Sequence, residues 1–267
     1  MYAKKSLGQN FLTSIPARIA IIEAGDCSAS DTVLEIGPGR GFLTKALVDT
    51  GAQVVGLEKD QDLIPVLEEQ FSEQVKSGQL KLIEGDALTF EPEEAGLING
   101  SWKLIANIPY YITGAILSRY LSHMNQPKTM VVLVQKEVAE RICARDEKES
   151  ILSLAVKAYG TPKLVYKVNR GSFNPIPNVD SAVLQITDIS RKHFENQYHE
   201  ALFFKTVKAG FAHKRKLLSS NLKEVFKNTD IVSLFKAQGI PEKARSEDLS
   251  LPVWLSLSLA LTTQEGN

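Results

Sequence analysis

The chain has 267 residues, of which 43% are hydrophobic and 23% charged, with 31 Lys and Arg matched by 31 Asp and Glu. Such a composition excludes a fibrous, disordered or disulfide-stapled protein, and at roughly 100–200 residues per domain the length suits a large domain with a small partner. Cys27 and Cys143 stand apart from each other and from the four histidines, so neither a disulfide framework nor a C-x-x-C metal site is expected, and a reducing cytosol fits.

The first residues carry no apolar signal core, and no run approaches the roughly 18 apolar residues of a membrane span, so a soluble, untargeted protein is expected. The zero net charge hides a segregation. Residues 1–18 carry +3, 19–190 carry −7, 191–227 carry +6 and the last 40 carry −2. A neutral average therefore does not exclude a nucleic-acid partner.

In chain order, short β-branched runs alternate with helical ones. Val33 to Ile36 reads as a strand, Phe42 to Thr50 as a helix, Gln53 to Glu58 as a strand and Asp62 to Phe71 as a helix. Leu80 to Glu84 and Lys103 to Ala106 are strands, Thr113 to His123 a helix and Met130 to Gln135 a strand. Helix-length crossovers between strands imply a parallel sheet covered on both faces. Lys163 to Val168 and Ser181 to Ile186 suit an antiparallel closing pair. From His199 to Leu261 only helical periodicity remains, broken at Gly239-Ile-Pro241 and Leu251-Pro252. The expectation is an α/β domain over residues 1–189 and a small all-helical domain over 190–267.

The stretch Glu35-Ile-Gly-Pro-Gly-Arg-Gly41 lies where the first strand meets the first helix. Gly37 and Gly39 allow a tight turn and close approach to a ligand. Glu58 ends the second strand, where a nucleotide binder places a carboxylate for ribose hydroxyls. A structural turn with a solvent-facing Glu is the competing reading. The spacing G-x-G-x-G, with an acid two residues before it, differs from the dinucleotide fingerprint G-x-G-x-x-G and resembles the class I S-adenosylmethionine-dependent methyltransferases. Asp86, after the third strand, lies where that class contacts adenine. An acidic main segment suits a sulfonium cofactor.

The fourth strand ends in Asn107-Ile108-Pro109-Tyr110, at the sheet edge where open α/β folds place their chemistry. The exocyclic amine of a nucleobase is a poor nucleophile, because its lone pair is delocalised into the ring. A side-chain oxygen on Asn107 and a main-chain carbonyl made available by Pro109 can accept both N–H bonds and favour a pyramidal nitrogen. Tyr110 can stack on a flipped base, a contact worth about 1–3 kcal/mol. Phe173, in the proline-stiffened Ser172-Phe-Asn-Pro-Ile-Pro177, suits the opposite face of that base; a core aromatic between strands is the alternative.

These motifs, together with Lys5-Ser-Leu-Gly-Gln-Asn-Phe-Leu12, Val134-Gln-Lys-Glu-Val-Ala139, Phe173-Asn-Pro-Ile-Pro-Asn-Val-Asp-Ser181 and Phe211-Ala-His-Lys-Arg-Lys-Leu217, resemble the ribosomal RNA adenine N6,N6-dimethyltransferases. Within that family the likeness is greatest to the bacterial small-subunit (16S) type, which modifies two adjacent adenines in a 3′-terminal hairpin. The resemblance implies a Rossmann-like methyltransferase sheet, a helical C-terminal domain and S-adenosyl-L-methionine as donor. It also implies that Gln9, Asn10, Leu12, Lys59 and Ala87 join Gly37, Gly39, Glu58, Asp86 and Asn107 around the cofactor. The partner implied is small-subunit ribosomal RNA in an immature subunit, met by a cytoplasmic monomer. One stretch departs: Arg145-Asp-Glu-Lys-Glu-Ser-Ile-Leu152 replaces a Gly-Ser-Lys-x-Tyr-Gly-like loop.

Lys205, Lys208, Lys214, Arg215, Lys216, Lys223 and Lys227 fall in a region read as helical, with Lys216, Lys223 and Lys227 on one face. Such a face suits phosphate contacts, although a solvated helix surface is the ordinary explanation. Neither a metal site nor a catalytic triad is indicated, because His123, His193, His199 and His213 lack ligand spacing. Two rivals stay open: the erythromycin-resistance type, which dimethylates one adenine in large-subunit RNA, and an RNA-binding factor that has lost catalysis.

Overall fold

The computed structural model describes residue 4 and residues 7–144 and 147–265. Lys5 and Ser6 of the first motif, and Arg145 and Asp146 of the departing stretch, lie outside the described residues. Two compact units divide the chain: Met1–Ala139 with Gly160–Ser190, and Glu140–Tyr159 with Arg191–Asn267.

In the first unit the elements run β1 (Phe11–Leu12), α1 (Ile15–Gly25), β2 (Thr32–Ile36), α2 (Phe42–Asp49), β3 (Gln53–Glu58), α3 (Ile64–Gln70), α4 (Ser72–Ser77) and β4 (Leu80–Glu84). They continue with β5 (Trp102–Asn107), α5 (Thr113–Ser122), β6 (Thr129–Gln135), α6 (Lys136–Ile142), which runs into the second unit, and then, after α7 (Ile151–Lys157) of that unit, β7 (Thr161–Val168), β8 (Phe173–Asn174) and β9 (Ser181–Thr187). The seven-stranded sheet has the order β4-β3-β2-β5-β6-β9-β7. Its first five strands are parallel, and β9 is antiparallel to both β6 and β7. This is the α/β sheet with an antiparallel closing pair expected from the residue pattern.

The parallel strands are covered on both faces, so their sequences are apolar throughout rather than alternating. In β6, Met130 to Val134 are all fully buried. Each such side chain contributes about 1.5–3 kcal/mol through burial. The strand order reverses beside β2, which leaves a crevice at the carboxyl ends of β2 and β5. β1 pairs antiparallel with β8, Phe11 opposite Asn174 and Leu12 opposite Phe173, which fastens the N-terminal segment near that crevice.

The second unit contains α7, α8 (Gln197–Gly210), α9 (Leu218–Val225), α10 (Ile231–Ala237) and α11 (Leu251–Glu265). Phe203, Leu222, Phe235, Trp254 and Leu257 are among its buried apolar residues. Residues 140–159, placed before the sequence-based boundary at 189/190, belong to this unit. The reason is α7, whose Leu154, with Ala158 just past its end, is fully buried in the helical core. Among the described residues no helix is long and apolar enough to cross a membrane.

Candidate active site

At the end of β2 the chain turns through Gly37 at φ +71° and Gly39 at φ +61°, both in the left-handed region. A Cβ at Gly39 would also meet the Phe11 ring at 3.1 Å. Gly37 N–H donates to the Leu57 carbonyl (2.9 Å), which ties the loop to β3. Glu58, the last residue of β3, is buried, and its two oxygens accept N–H bonds from Gly39 and Asp60, each at 2.9 Å. Burial pushes its carboxyl up, while those N–H donors pull against it. Loop and acid are thus built as one piece, and each Glu58 oxygen keeps a lone pair for a further donor.

After β4, Asp86 accepts the Leu88 N–H (2.9 Å) and pairs with the Lys59 ammonium (2.8 Å). Lys59 is the main reason its carboxyl lies below the usual range. Lys4, Gln9 and Asn10 are tied to this edge. Lys4 bridges Asp60 (2.5 Å) and Asp62 (2.6 Å), and the Gln9 amide donates to Asp60 (2.9 Å) and accepts the Lys4 N–H (2.8 Å). At the end of β5 the Asn107 Nδ2 donates to the Asn10 carbonyl (3.1 Å). That bond fixes the amide, and among the described residues no donor reaches its Oδ1. The Tyr110 hydroxyl shares a hydrogen bond with Ser181 (2.6 Å).

These strand ends enclose a cavity of about 540 Å³. Its wall brings together the expected cofactor residues Gln9, Asn10, Leu12, Gly37, Gly39, Glu58, Lys59, Asp86 and Ala87 with the tetrapeptide Asn107 to Tyr110. Phe173 is a correction. It is 3% exposed and belongs to the apolar core beneath the sheet edge, because its pairing with Leu12 turns the ring inward. Its neighbour Asn174 lines the cavity instead. Phe11, Leu88 and Tyr111 also line it, without a role in the sequence reading. Tyr111 is 66% exposed, and its place directly after Tyr110 was the available signal. Phe11 lies under the Arg40 guanidinium, 4.5 Å from its ring centre.

The basic residues are a second correction. Lys205 and Lys208 lie in α8 and Lys223 in α9, but Lys214, Arg215 and Lys216 occupy an exposed loop between the helices, so they share no helix face with Lys223. The helix ends at Gly210, where a Cβ would meet the Trp254 ring at 2.4 Å, and the Gly210 carbonyl is capped by the Asn221 amide and the Ser246 hydroxyl. Lys216 pairs with Glu224 at 2.6 Å. Elsewhere Glu91, Glu93 and His123 place ligand atoms within 4.8 Å of one another, a convergence their spacing in the chain conceals. Glu91 is there bonded to His123 (2.8 Å) and Arg119 (2.9 Å).

The family model described as ribosomal RNA adenine dimethylase matches residues 1–263. The chain belongs to this family. Membership makes it an S-adenosylmethionine-dependent RNA methyltransferase. A relative named ribosomal RNA small subunit methyltransferase A, from Dehalococcoides mccartyi, is 40% identical over 96% of this chain and 88% of its own. One of the same name from Fusobacterium nucleatum is 38% identical over 95% and 96%. Among solved structures, a dimethyladenosine transferase from Plasmodium falciparum aligns with a TM-score of 0.81 at 26% identity over 96% of this chain and 98% of that one. The 23S rRNA methyltransferase ErmE aligns with a TM-score of 0.76 at 25% identity over 95% and 100%.

Proposed function

We propose that this dimethylase adds two methyl groups to N6 of each of two adjacent adenines in a 3′-terminal hairpin of 16S ribosomal RNA, as a cytoplasmic monomer acting on immature small subunits. The observation that carries the reading is the fixed amide of Asn107, whose Nδ2 is spent on the Asn10 carbonyl and whose Oδ1 is left as an acceptor at the cavity wall.

The donor set fits S-adenosyl-L-methionine: a carboxylate whose remaining lone pairs suit ribose hydroxyls, glycines whose missing side chains leave room for a ligand, and an acid after β4. Glu58, Asp86, Gln9 and the Gly37–Gly39 backbone would hold it. When bound, it supplies an electrophilic methyl group on a sulfonium sulfur. Asn107 Oδ1 and the carbonyl preceding Pro109 accept the amine N–H bonds, which holds the nitrogen with its lone pair available. That is positioning and electrostatics rather than general-base catalysis. Tyr110, held by Ser181, offers its ring to the base. Lys205, Lys208, Lys214, Arg215, Lys216 and Lys223 are all exposed and supply phosphate contacts in this reading.

The test is methyl incorporation from labelled cofactor into small subunits that lack the modification, with primer extension on both ribosomal RNAs. Stops at two adjacent small-subunit adenines are expected. Stops confined to one large-subunit adenine would assign the ErmE-like reading, and no incorporation would leave an RNA-binding factor.

A further inference from the structure

Two motif segments have no part in the methyl-transfer cavity: Gln135-Lys-Glu137 at the end of β6, and Asn178-Val-Asp180 before β9. The antiparallel pairing of β6 with β9 sets Gln135 opposite Ser181, and the Lys136 N–H donates to the Asp180 carbonyl (3.0 Å). With Asn169 and Arg170 they line an open, polar basin of about 480 Å³. Its rim is fixed from within: Asp180 accepts the Arg170 N–H (2.9 Å), and Asn169 Oδ1 accepts the Gly171 N–H (3.0 Å). Among the described residues, the side-chain amides of Gln135 and Asn178 make no hydrogen bond, and neither Lys136 nor Arg170 forms an ion pair.

The charge in the basin is balanced, with Glu137 and Asp180 against Lys136 and Arg170. A site for phosphate alone would be basic, and a site for an apolar ligand would not be walled by amides and ions. Two free amides, two cations and two carboxylates suit a ligand that combines a base edge, ribose hydroxyls and one phosphodiester. Asn and Gln side chains pair bidentately with adenine, and RNA-binding proteins read splayed bases along such edges. The basin also adjoins the reaction site. Tyr110, in the wall of the transfer cavity, is bonded to Ser181, the residue next to Asp180.

Resting on the adenine-dimethylation reading above, we infer that this basin holds the second adenosine of the substrate pair while the first occupies the transfer cavity, with Gln135 and Asn178 on its base edge and Lys136 and Arg170 at its phosphate. The enzyme then reads the dinucleotide, and the two adenosines exchange places between rounds.

The experiment uses the full-length protein and reconstituted small subunits in which the adenosine beside the target is either kept or replaced by uridine. kcat/KM for the remaining adenine is measured with wild type, Gln135→Ala and Asn178→Ala, and cofactor affinity checks that each variant is folded. With wild type, uridine is expected to lower kcat/KM about tenfold. Each variant should lose about tenfold on the unaltered subunit, and the uridine replacement should then change its rate by less than about twofold. Losses that multiply, or variants that match wild type on both substrates, overturn the basin as an adenosine site. No transfer by wild type to unaltered subunits would instead overturn the function on which it rests.

Discussion

The carboxyl edge of the sheet has two halves built by different means. Along β2, β3 and β4 the site is made of backbone: left-handed glycines, main-chain N–H groups and a buried acid they hold in place. Along β5, β6 and β9 it is made of side chains, with Asn107 and Tyr110 each oriented by a single hydrogen bond to a neighbouring segment and the basin amides of Gln135 and Asn178 left without one among the described residues. Backbone that is already paired reorganises little when a ligand arrives, which suits the cofactor-binding role proposed for this half. Side chains on strand ends and loops can pass successive substrate states, which suits a half that meets an adenine with no, one and two methyl groups. Damage to the first half should therefore appear in binding, and damage to the second in rate.

The sharpest test of that division is Asn107→Ala. By analogy with loss of one preorganised hydrogen-bonding group, kcat should fall about 10²–10³-fold while cofactor affinity by calorimetry stays within a few-fold of wild type. A parallel loss of affinity would erase the distinction between the halves. Glu58→Ala should do the reverse, weakening cofactor binding about 10–100-fold through lost charge-assisted hydrogen bonds, with a smaller effect on kcat at saturation. Gly39→Ala tests the backbone more gently. A side chain at φ +61° costs about 1–2 kcal/mol and the Phe11 contact adds to it, so a lower Tm and weaker cofactor binding are expected together.

A pH-dependent test concerns Glu35, on β2 beside Glu58. It is 1% exposed, its oxygens and the nearby Thr44 hydroxyl have no hydrogen-bond partner among the described residues, and burial, helped by the charge of Glu58, pushes its carboxyl up to about 8. The folded state keeps the proton over a range where the unfolded chain has lost it. This contribution to stability is complete below the ordinary carboxylate range and is lost as pH rises from about 4.5 through about 8, by at most about 1.4 kcal/mol per pH unit. Glu35→Gln should flatten the fall of Tm between pH 5 and 8 and be relatively more stable at pH 8.5. An unchanged slope in thermal melts would mean that Glu35 does not carry the proton.

Much of the first half was legible, because its signals are local. The strand runs of β2 to β4 and the glycine spacing each occupy a few consecutive residues. The second half depends on distant pairings. β1 and β8 are two-residue strands joined across about 160 residues, too short to leave a period in the chain, and their pairing is what buries Phe173. α1 is apolar along nearly its whole length and so has no stripe to mark it. α7 looks like part of the α/β alternation until its partners in the helical core are known. The loop at 212–217 reads as helix because its capping partners, Asn221 and Ser246 on the Gly210 carbonyl, come from later in the chain. The basin is hidden in the sequence for a related reason: its amides come from segments about 40 residues apart that only the β6–β9 register brings together.

The bond between Asn10 and Asn107 has a practical side. Through it and the Lys4 and Gln9 contacts with Asp60, Lys4, Gln9 and Asn10 are fastened to the cavity that Asn107 and Glu58 line. Loosening Gln9 or Asn10 would therefore release the Asn107 amide without any change at Asn107 itself.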